Sequence, residues 1–183
     1  MKKITILNGI PDSRFQEFEK KLADMAERNS PALQIESFTL REMDIQYCCG
    51  CWSCWLKTPG LCPQKDEMPQ VLKSVIQSDL TVFVSPVVMG FTSALLKKAN
   101  DKMIPLIHPY IGIFGGECHH KKRYDKYPKL GLALLNTDCS PTFDSKIITD
   151  MYRRMAINFK TELAFSCLSD GNVEVIENEI YHI

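Results

Sequence analysis

Apolar positions along this chain follow two rhythms in turn. Residues 3–8 (K-I-T-I-L-N) run apolar and β-branched, which predicts a strand buried on both faces. Gly9 to Ser13 read as a turn, and Phe15, Phe18, Leu22 and Met25 then recur at helical spacing from Arg14 to about Asn29. Residues 32–40 alternate, with Leu33, Ile35 and Phe38 apolar, as a strand at or near a sheet edge does. After a loop of more than 20 residues, Asp66 and Glu67 open a helix that buries Met68, Val71, Leu72, Val75 and Ile76 and ends at Ser78-Asp79. Leu80 to Ser85 predict a central strand, with Pro86 expected to stop its ladder. A glycine-bearing loop and a helix over Ser93 to Met103 follow, with Lys97, Lys98, Asp101 and Lys102 read as its solvated face. From Ile104 the pattern turns extended, and residues 111–129 read as a polar, basic and aromatic insertion. Leu130 to Leu135 predict a buried strand, Phe143 to Phe159 a helix, and Glu162 to Cys167 a fifth strand. The tail from Leu168, with its V-E-V-I, reads as a further edge segment.

Strands alternating with helices predict a parallel sheet covered on both faces. Five strands with loops at 9–15, 86–92 and 136–142 on one edge predict an α/β, flavodoxin-like three-layer fold of strand order 2-1-3-4-5. A first βα loop often receives a phosphate, because N–H groups at a helix start are free; an ordinary turn reads equally well here, with Ser13 either donating to the phosphate or capping the helix. With 183 residues, 45% of them apolar, the chain is expected to form a single domain over residues 1–183. Its 22 basic and 22 acidic residues cancel, so no global field favours nucleic acid or a membrane surface. No apolar run approaches the roughly 18 to 20 residues of a membrane span. The N-terminal stretch lacks an export signature, so a cytoplasmic setting with reduced thiols is expected.

That matters for the stretch from Tyr47 to Met68, which holds five of the eight cysteines. Cys48, Cys51, Cys54 and Cys62 form C-x2-C-x2-C-x7-C, a spacing in which three thiolates wrap one face of a metal cluster and a fourth closes it. A four-iron four-sulfur cluster is one reading, supported by the Cys62-Pro63 pair. Structural zinc fits less well, since it prefers two separated ligand pairs. Reduced thiols in a packed loop are the third reading. Cys49 is spare, while Trp52 and Trp55 bracket Cys54 and either shield a cluster or anchor the loop. Cys118, His119 and His120 read as a surface loop or subunit contact rather than a metal site, and Lys121, Lys122 and Arg123 as candidates for a nucleotide phosphate.

The segment S-P-V-V-M-G-F-T-S-A-L-L-K-K-A-N-D-K resembles the S/T-P-V-Y-x-G-x-x-S-x-x-L-K-x-x-x-D-R stretch of the NADPH-dependent FMN reductase and flavodoxin-like oxidoreductase superfamily. The cysteine run followed by D-E-M resembles that superfamily's iron-sulfur flavoprotein branch. The resemblance implies that Ser85, Pro86, Val87, Val88, Met89, Gly90 and Phe91 lie beside the isoalloxazine of FMN. It also implies that Gly9, Pro11, Ser13 and Arg14 cradle its phosphate, with Thr137 on the third loop. NAD(P)H is the implied electron donor, a cluster, a quinone or a protein the acceptor, and a homodimer or higher oligomer the implied assembly. The chain departs from the family's G-S-P-R phosphate loop by reading G-I-P-D-S-R. Ile10 replaces a hydroxyl, and Asp12 places a negative charge near the expected dianion. Like charges a few ångströms apart repel by roughly several kcal/mol at an effective dielectric of about 20. Val88 stands where the family has a tyrosine. The competing class is a cofactor-poor binding or assembly module of the same fold, with a vestigial cysteine site.

Overall fold

Strand β1 (Lys2–Asn8) runs through the middle of the molecule, sending Ile4 and Ile6 to one side and Leu7 to the other, all essentially without solvent exposure. The structure, a computed structural model, describes residues 1–28, 32–137 and 142–183, the side chains of 142 and 143 excepted. The expected helix end at Asn29 and the loop residues 138–141 lie outside the described residues. Strands β2 (Leu33–Thr39) and β3 (Leu80–Val88) flank β1 in parallel, with Ile6 opposite Ser37 on one side and Val82 on the other. Beyond β3 lie β7 (Lys129–Leu135) and β8 (Leu163–Ser169), giving the order β2-β1-β3-β7-β8. This is the expected flavodoxin-like 2-1-3-4-5 arrangement.

Each face of the sheet has its own core. Helices α1 (Gln16–Glu27) and α6 (Glu174–His182) set Phe18, Leu22, Met25, Ile176 and Ile180 against Ile4, Ile6, Val82 and Val84. Helices α3 (Met68–Gln77), α4 (Ala94–Asp101) and α5 (Thr142–Asn158) cover the opposite face. There Val71, Leu96, Ile148 and Tyr152 meet Leu7, Phe83 and Leu132. Fully burying a large apolar side chain contributes about 1.5–3 kcal/mol, so the alternation along β1 and β3 is what fixes their register.

Two expectations need correction and one needs refining. The parallel ladder ends at Pro86 as expected, its last pair being Pro86 opposite Leu135, but β3 itself runs on to Val88 through antiparallel pairing of Val87 with Thr92 and Val88 with Phe91. The pairing of β1 with β3 ends at Asn8 opposite Val84, where Gly9 donates to the Val84 carbonyl. Backbone groups alternate sides along a strand, so the donor that Pro86 lacks faces the side where β1 has already ended. The tail is no edge segment. Val173, Ile176 and Ile180 have helical spacing, and the Asn172 side chain caps the Glu174 N–H at 2.9 Å, starting α6. Lastly, the expected insertion begins earlier and is regular: β5 (Ile107–Phe114) and β6 (Glu117–Lys122) form an antiparallel hairpin separate from the main sheet.

Candidate functional site

At the carboxyl edge of the sheet, Arg14, Phe15, Val87, Val88, Met89, Asn136 and Thr137 surround a cavity of about 470 Å³. All three expected loops supply residues to it. The loop after β1 is built inward. Asn8 Oδ1 accepts from the Ile10 N–H at 3.0 Å, the Gly9 N–H donates to Val84 at 2.9 Å, and the Ser93 hydroxyl donates to the Gly9 carbonyl. A Cβ on Gly9 would stand 2.6 Å from that of Leu96, so this glycine lets α4 approach the loop. Its backbone groups are already engaged. Pro11 and Ser13 are exposed, and residues 13–15 make a short 3-10 turn. Asp12 caps that turn through the Arg14 N–H and also pairs with the Arg14 side chain. Those hydrogen bonds from Arg14 hold the Asp12 carboxyl below its ordinary range.

The loop after β3 turns sharply. Val88 pairs with Phe91 across β4 (Phe91–Thr92), and between them Met89 (φ +49°) and Gly90 (φ +78°) are both left-handed. Two consecutive positive φ values are what a tight hairpin of this length demands. Met89 is left wholly exposed at the cavity's lip, 101% by relative area, and Val88 is partly exposed. Behind them Ser85 and Pro86 are buried; the Ser85 hydroxyl accepts from the Ser93 N–H at 2.8 Å and so ties β3 to the start of α4. Gly90 does not face open space for a flat ligand, because the Asp144 carboxylate would stand 3.5 Å from its Cβ. Phe91 lines a different cavity of about 220 Å³ between α4 and α5. Thr137 donates to the Val87 carbonyl at 3.0 Å, joining the second and third loops. Of the twelve residues the sequence nominated, the structure therefore gathers Arg14, Val87, Val88, Met89 and Thr137 around one space. Gly9, Ser85 and Pro86 lie behind it, and Phe91 beside it.

The cysteine loop is closed at its base by polar groups. Asp44 and Glu67 exchange two hydrogen bonds at 2.6 and 2.9 Å, and Asp66 accepts from the Gln46 N–H at 2.9 Å. Lys102 is not on a solvated face as expected: its ammonium is fully buried against the equally buried Asp66 carboxylate and donates to Gln64 at 3.1 Å. Burial pushes the Asp66 carboxyl up, but the Lys102 ammonium and two backbone N–H groups outweigh it and hold it down. Inside the loop, Trp52 adopts φ +58°, a conformation costly for a bulky residue, and starts the single helical turn α2 (Ser53–Leu56). Cys48 and Cys51 are exposed, whereas Cys54 and Cys62 are half-buried. Burial raises the Cys54 thiol, and so does repulsion from Cys62, Cys48 and Cys51. Hydrogen bonds from Ser53 lower that of Cys51. Cys54 thus lies within electrostatic reach of the other three thiols. Among the described residues, however, no three His, Cys, Asp or Glu side chains are drawn together as a metal would require.

Trp55 anchors the loop, its indole N–H donating to the Ile104 and Ile107 carbonyls at 3.1 and 2.9 Å and its ring 5.0 Å from that of His120. The hairpin is held in turn by Glu117, which pairs with His119 at 2.9 Å and with Arg154 of α5 at 2.6 Å. Arg123 donates to the Pro105 and Ile107 carbonyls at 2.9 and 3.3 Å, so it supports the hairpin base and is not directed at a phosphate. Sequence reasoning missed the Lys102–Asp66 and Glu117–Arg154 pairs. Partners 36 and 37 residues apart leave no periodic trace.

A parallel 2-1-3-4-5 sheet with a loop-built cavity at its carboxyl edge defines a flavodoxin-like α/β protein. The chain belongs to the NADPH-dependent FMN reductase family, which it matches over residues 2–121. It is similar to an iron-sulfur flavoprotein of Archaeoglobus fulgidus, with 33% identity over 96 residues, 51% of this chain and 43% of that protein. It is likewise similar to one of Methanocaldococcus jannaschii, with 34% identity over 74 residues, 40% of this chain and 37% of that protein. These matches span less than half the length of either relative. Among solved structures, an FMN-dependent NADH-azoreductase from Bacillus anthracis in complex with FMN superposes with a TM-score of 0.61 at 15% identity, covering 100% of this chain and 95% of that one. A putative quinone reductase from Klebsiella pneumoniae gives 0.63 at 10% identity, covering 100% and 83%. At such identities the likeness is one of fold.

Proposed function

We propose that this chain is a flavin-dependent oxidoreductase that takes hydride from NAD(P)H onto FMN and passes the electrons to a cluster, a quinone or another small-molecule or protein acceptor. The observation that carries this reading is the 470 Å³ cavity, built by three loops at the carboxyl edge of the sheet in a member of this family. Its walls suit a flat ring system: Val87, Val88 and Met89 offer an apolar side, and Asn136 and Thr137 bring polar groups to the opposite loop. The phosphate end suits FMN less well, because Arg14 is already paired with Asp12. When bound, FMN supplies the hydride-accepting ring and a cluster supplies one-electron transfer. The chain's own part is to seat the ring against the β3 turn and to exclude water beneath it with the buried Ser85-Pro86 floor.

We further propose that Cys48, Cys51, Cys54 and Cys62 hold a four-iron four-sulfur cluster. The C-x2-C-x2-C-x7-C spacing and the similarity to iron-sulfur flavoproteins support this assignment. The proposal extends to a single domain over residues 1–183, homodimeric or higher assembly and a cytoplasmic setting. No helix among the described residues is long and apolar enough to cross a membrane. A second reading, a cofactor-poor binding or assembly module, is favoured by the occupied Arg14 alone.

Anaerobic purification tests both. Flavin absorbance, a broad brown band and about four irons per chain are expected. Cys54→Ser is expected to lose the iron and keep the flavin. Colourless protein that takes up no added FMN would overturn the flavin reading in favour of the module, and iron unchanged in Cys54→Ser would overturn the ligand set.

A further inference from the structure

The loop after β1 already contains an anion of its own. Asp12 Oδ1 accepts from the Arg14 backbone N–H at 3.0 Å, and the two carboxylate oxygens take the Arg14 Nε–H at 2.9 and 3.1 Å. A backbone N–H at the start of a helical turn and a guanidinium are the donors a phosphate monoester uses. Two further N–H groups of the loop are spent internally, Gly9 on Val84 and Ile10 on Asn8, and Pro11 has no N–H to give, which leaves the exposed Ser13 beside Arg14. The second guanidinium at this end, Arg41, reaches the Ile10 carbonyl at 3.5 Å but is held by Glu19 and Glu42. Positive charge here is thus matched locally, Arg14 by Asp12 and Arg41 by its glutamates. Yet Arg14 also borders the cavity opposite Val88 and Met89, where it would face the phosphate end of a flavin whose ring lies on the β3 turn.

We infer that Asp12 is a specificity-determining residue: it occupies the phosphate seat of the cavity, so the chain holds flavin through its ring and does not favour FMN over riboflavin. The inference rests on the flavin reading proposed above. The Asp12 carboxylate is itself the competitor, and removing it frees the Arg14 N–H and guanidinium for a phosphate. The two flavins share one ring and differ at the phosphate, so their comparison isolates this end of the cavity.

Quenching of flavin fluorescence on titration with the full chain, with FMN and riboflavin in turn, tests this. The unsubstituted chain is expected to bind the two within about tenfold of each other. Asp12→Ser is expected to tighten FMN by about tenfold or more, the gain of freed charge-assisted hydrogen bonds, and to leave riboflavin unchanged. Adding Arg14→Gln to Asp12→Ser is expected to abolish that gain. Asp12 is partly exposed at the surface, and coincident thermal melts check that the variants fold alike. Tight FMN binding with strong preference over riboflavin, insensitive to Asp12→Ser, would overturn this inference while leaving the flavin reading intact. Absence of quenching by either flavin in every variant would overturn both.

Discussion

Lys102 shows what one residue does when its neighbours change its chemistry. In sequence it is the last of several charged positions on a helix; in the fold its ammonium is buried with the Asp66 carboxylate. Removing one partner of a buried pair leaves the other charge without compensation, at a cost of about 3–5 kcal/mol. Lys102→Met is therefore expected to lower the melting temperature by roughly 6–20 °C, at about 2–4 °C per kcal/mol for a chain of this size. The double variant with Asp66→Asn, which removes the second charge and keeps an acceptor for the Gln46 and Met68 N–H groups, is expected to recover much of that loss; an unchanged melt for Lys102→Met would contradict the pairing. Gly9 teaches a similar lesson. It reads as a phosphate-loop glycine, yet the reason for a glycine there is Leu96, 87 positions along the chain, 2.6 Å from where a Cβ would go. Legibility at the residue scale ends where the partner is distant in sequence.

At the scale of elements, the rhythm of apolar positions located the five sheet strands and the four principal helices through α5, because each buries a face against the sheet. It failed where two rhythms overlap or a breaker is tolerated. The V-E-V-I tail alternates over its first three residues but continues at helical spacing to Ile180, and Pro86 sits in β3 where no neighbour asks for its missing donor. The extended first strand of the β5–β6 hairpin was legible, whereas the polar, basic composition of β6 hid its partner, and the hairpin depends on ion pairs for its seat on α5. Arg154 and then His119 draw the Glu117 carboxyl from its ordinary 4.5 down to about 2. A depressed carboxylate contributes stability that is complete above the ordinary value and lost as pH falls through the depressed one. Glu117→Gln is thus expected to melt below the unsubstituted chain near pH 6, with the difference closing as pH falls from about 4.5 towards 2. A difference that persists at the acid end would contradict this role.

For the molecule as a whole, strand order was legible because alternating βα units leave few ways to build a parallel sheet, and ligand loops follow from that topology. The site was legible only in part. The sequence indicates which loops meet, whereas which side chains line the space depends on how far β1 and β3 overrun one another. The exposure of Met89 on its left-handed turn has a chemical consequence for the whole chain. Thioethers oxidise according to solvent access, and Met68 and Met103 are sealed in the core while Met89 stands fully in water at the cavity's mouth. Mild peroxide is expected to convert Met89 to its sulfoxide well before Met68 and Met103, as read by peptide mass. A ligand seated over the β3 turn is expected to slow that conversion selectively. Met89 is in this sense a built-in footprinting probe, reporting occupancy of the cavity for ligands with no colour or fluorescence of their own.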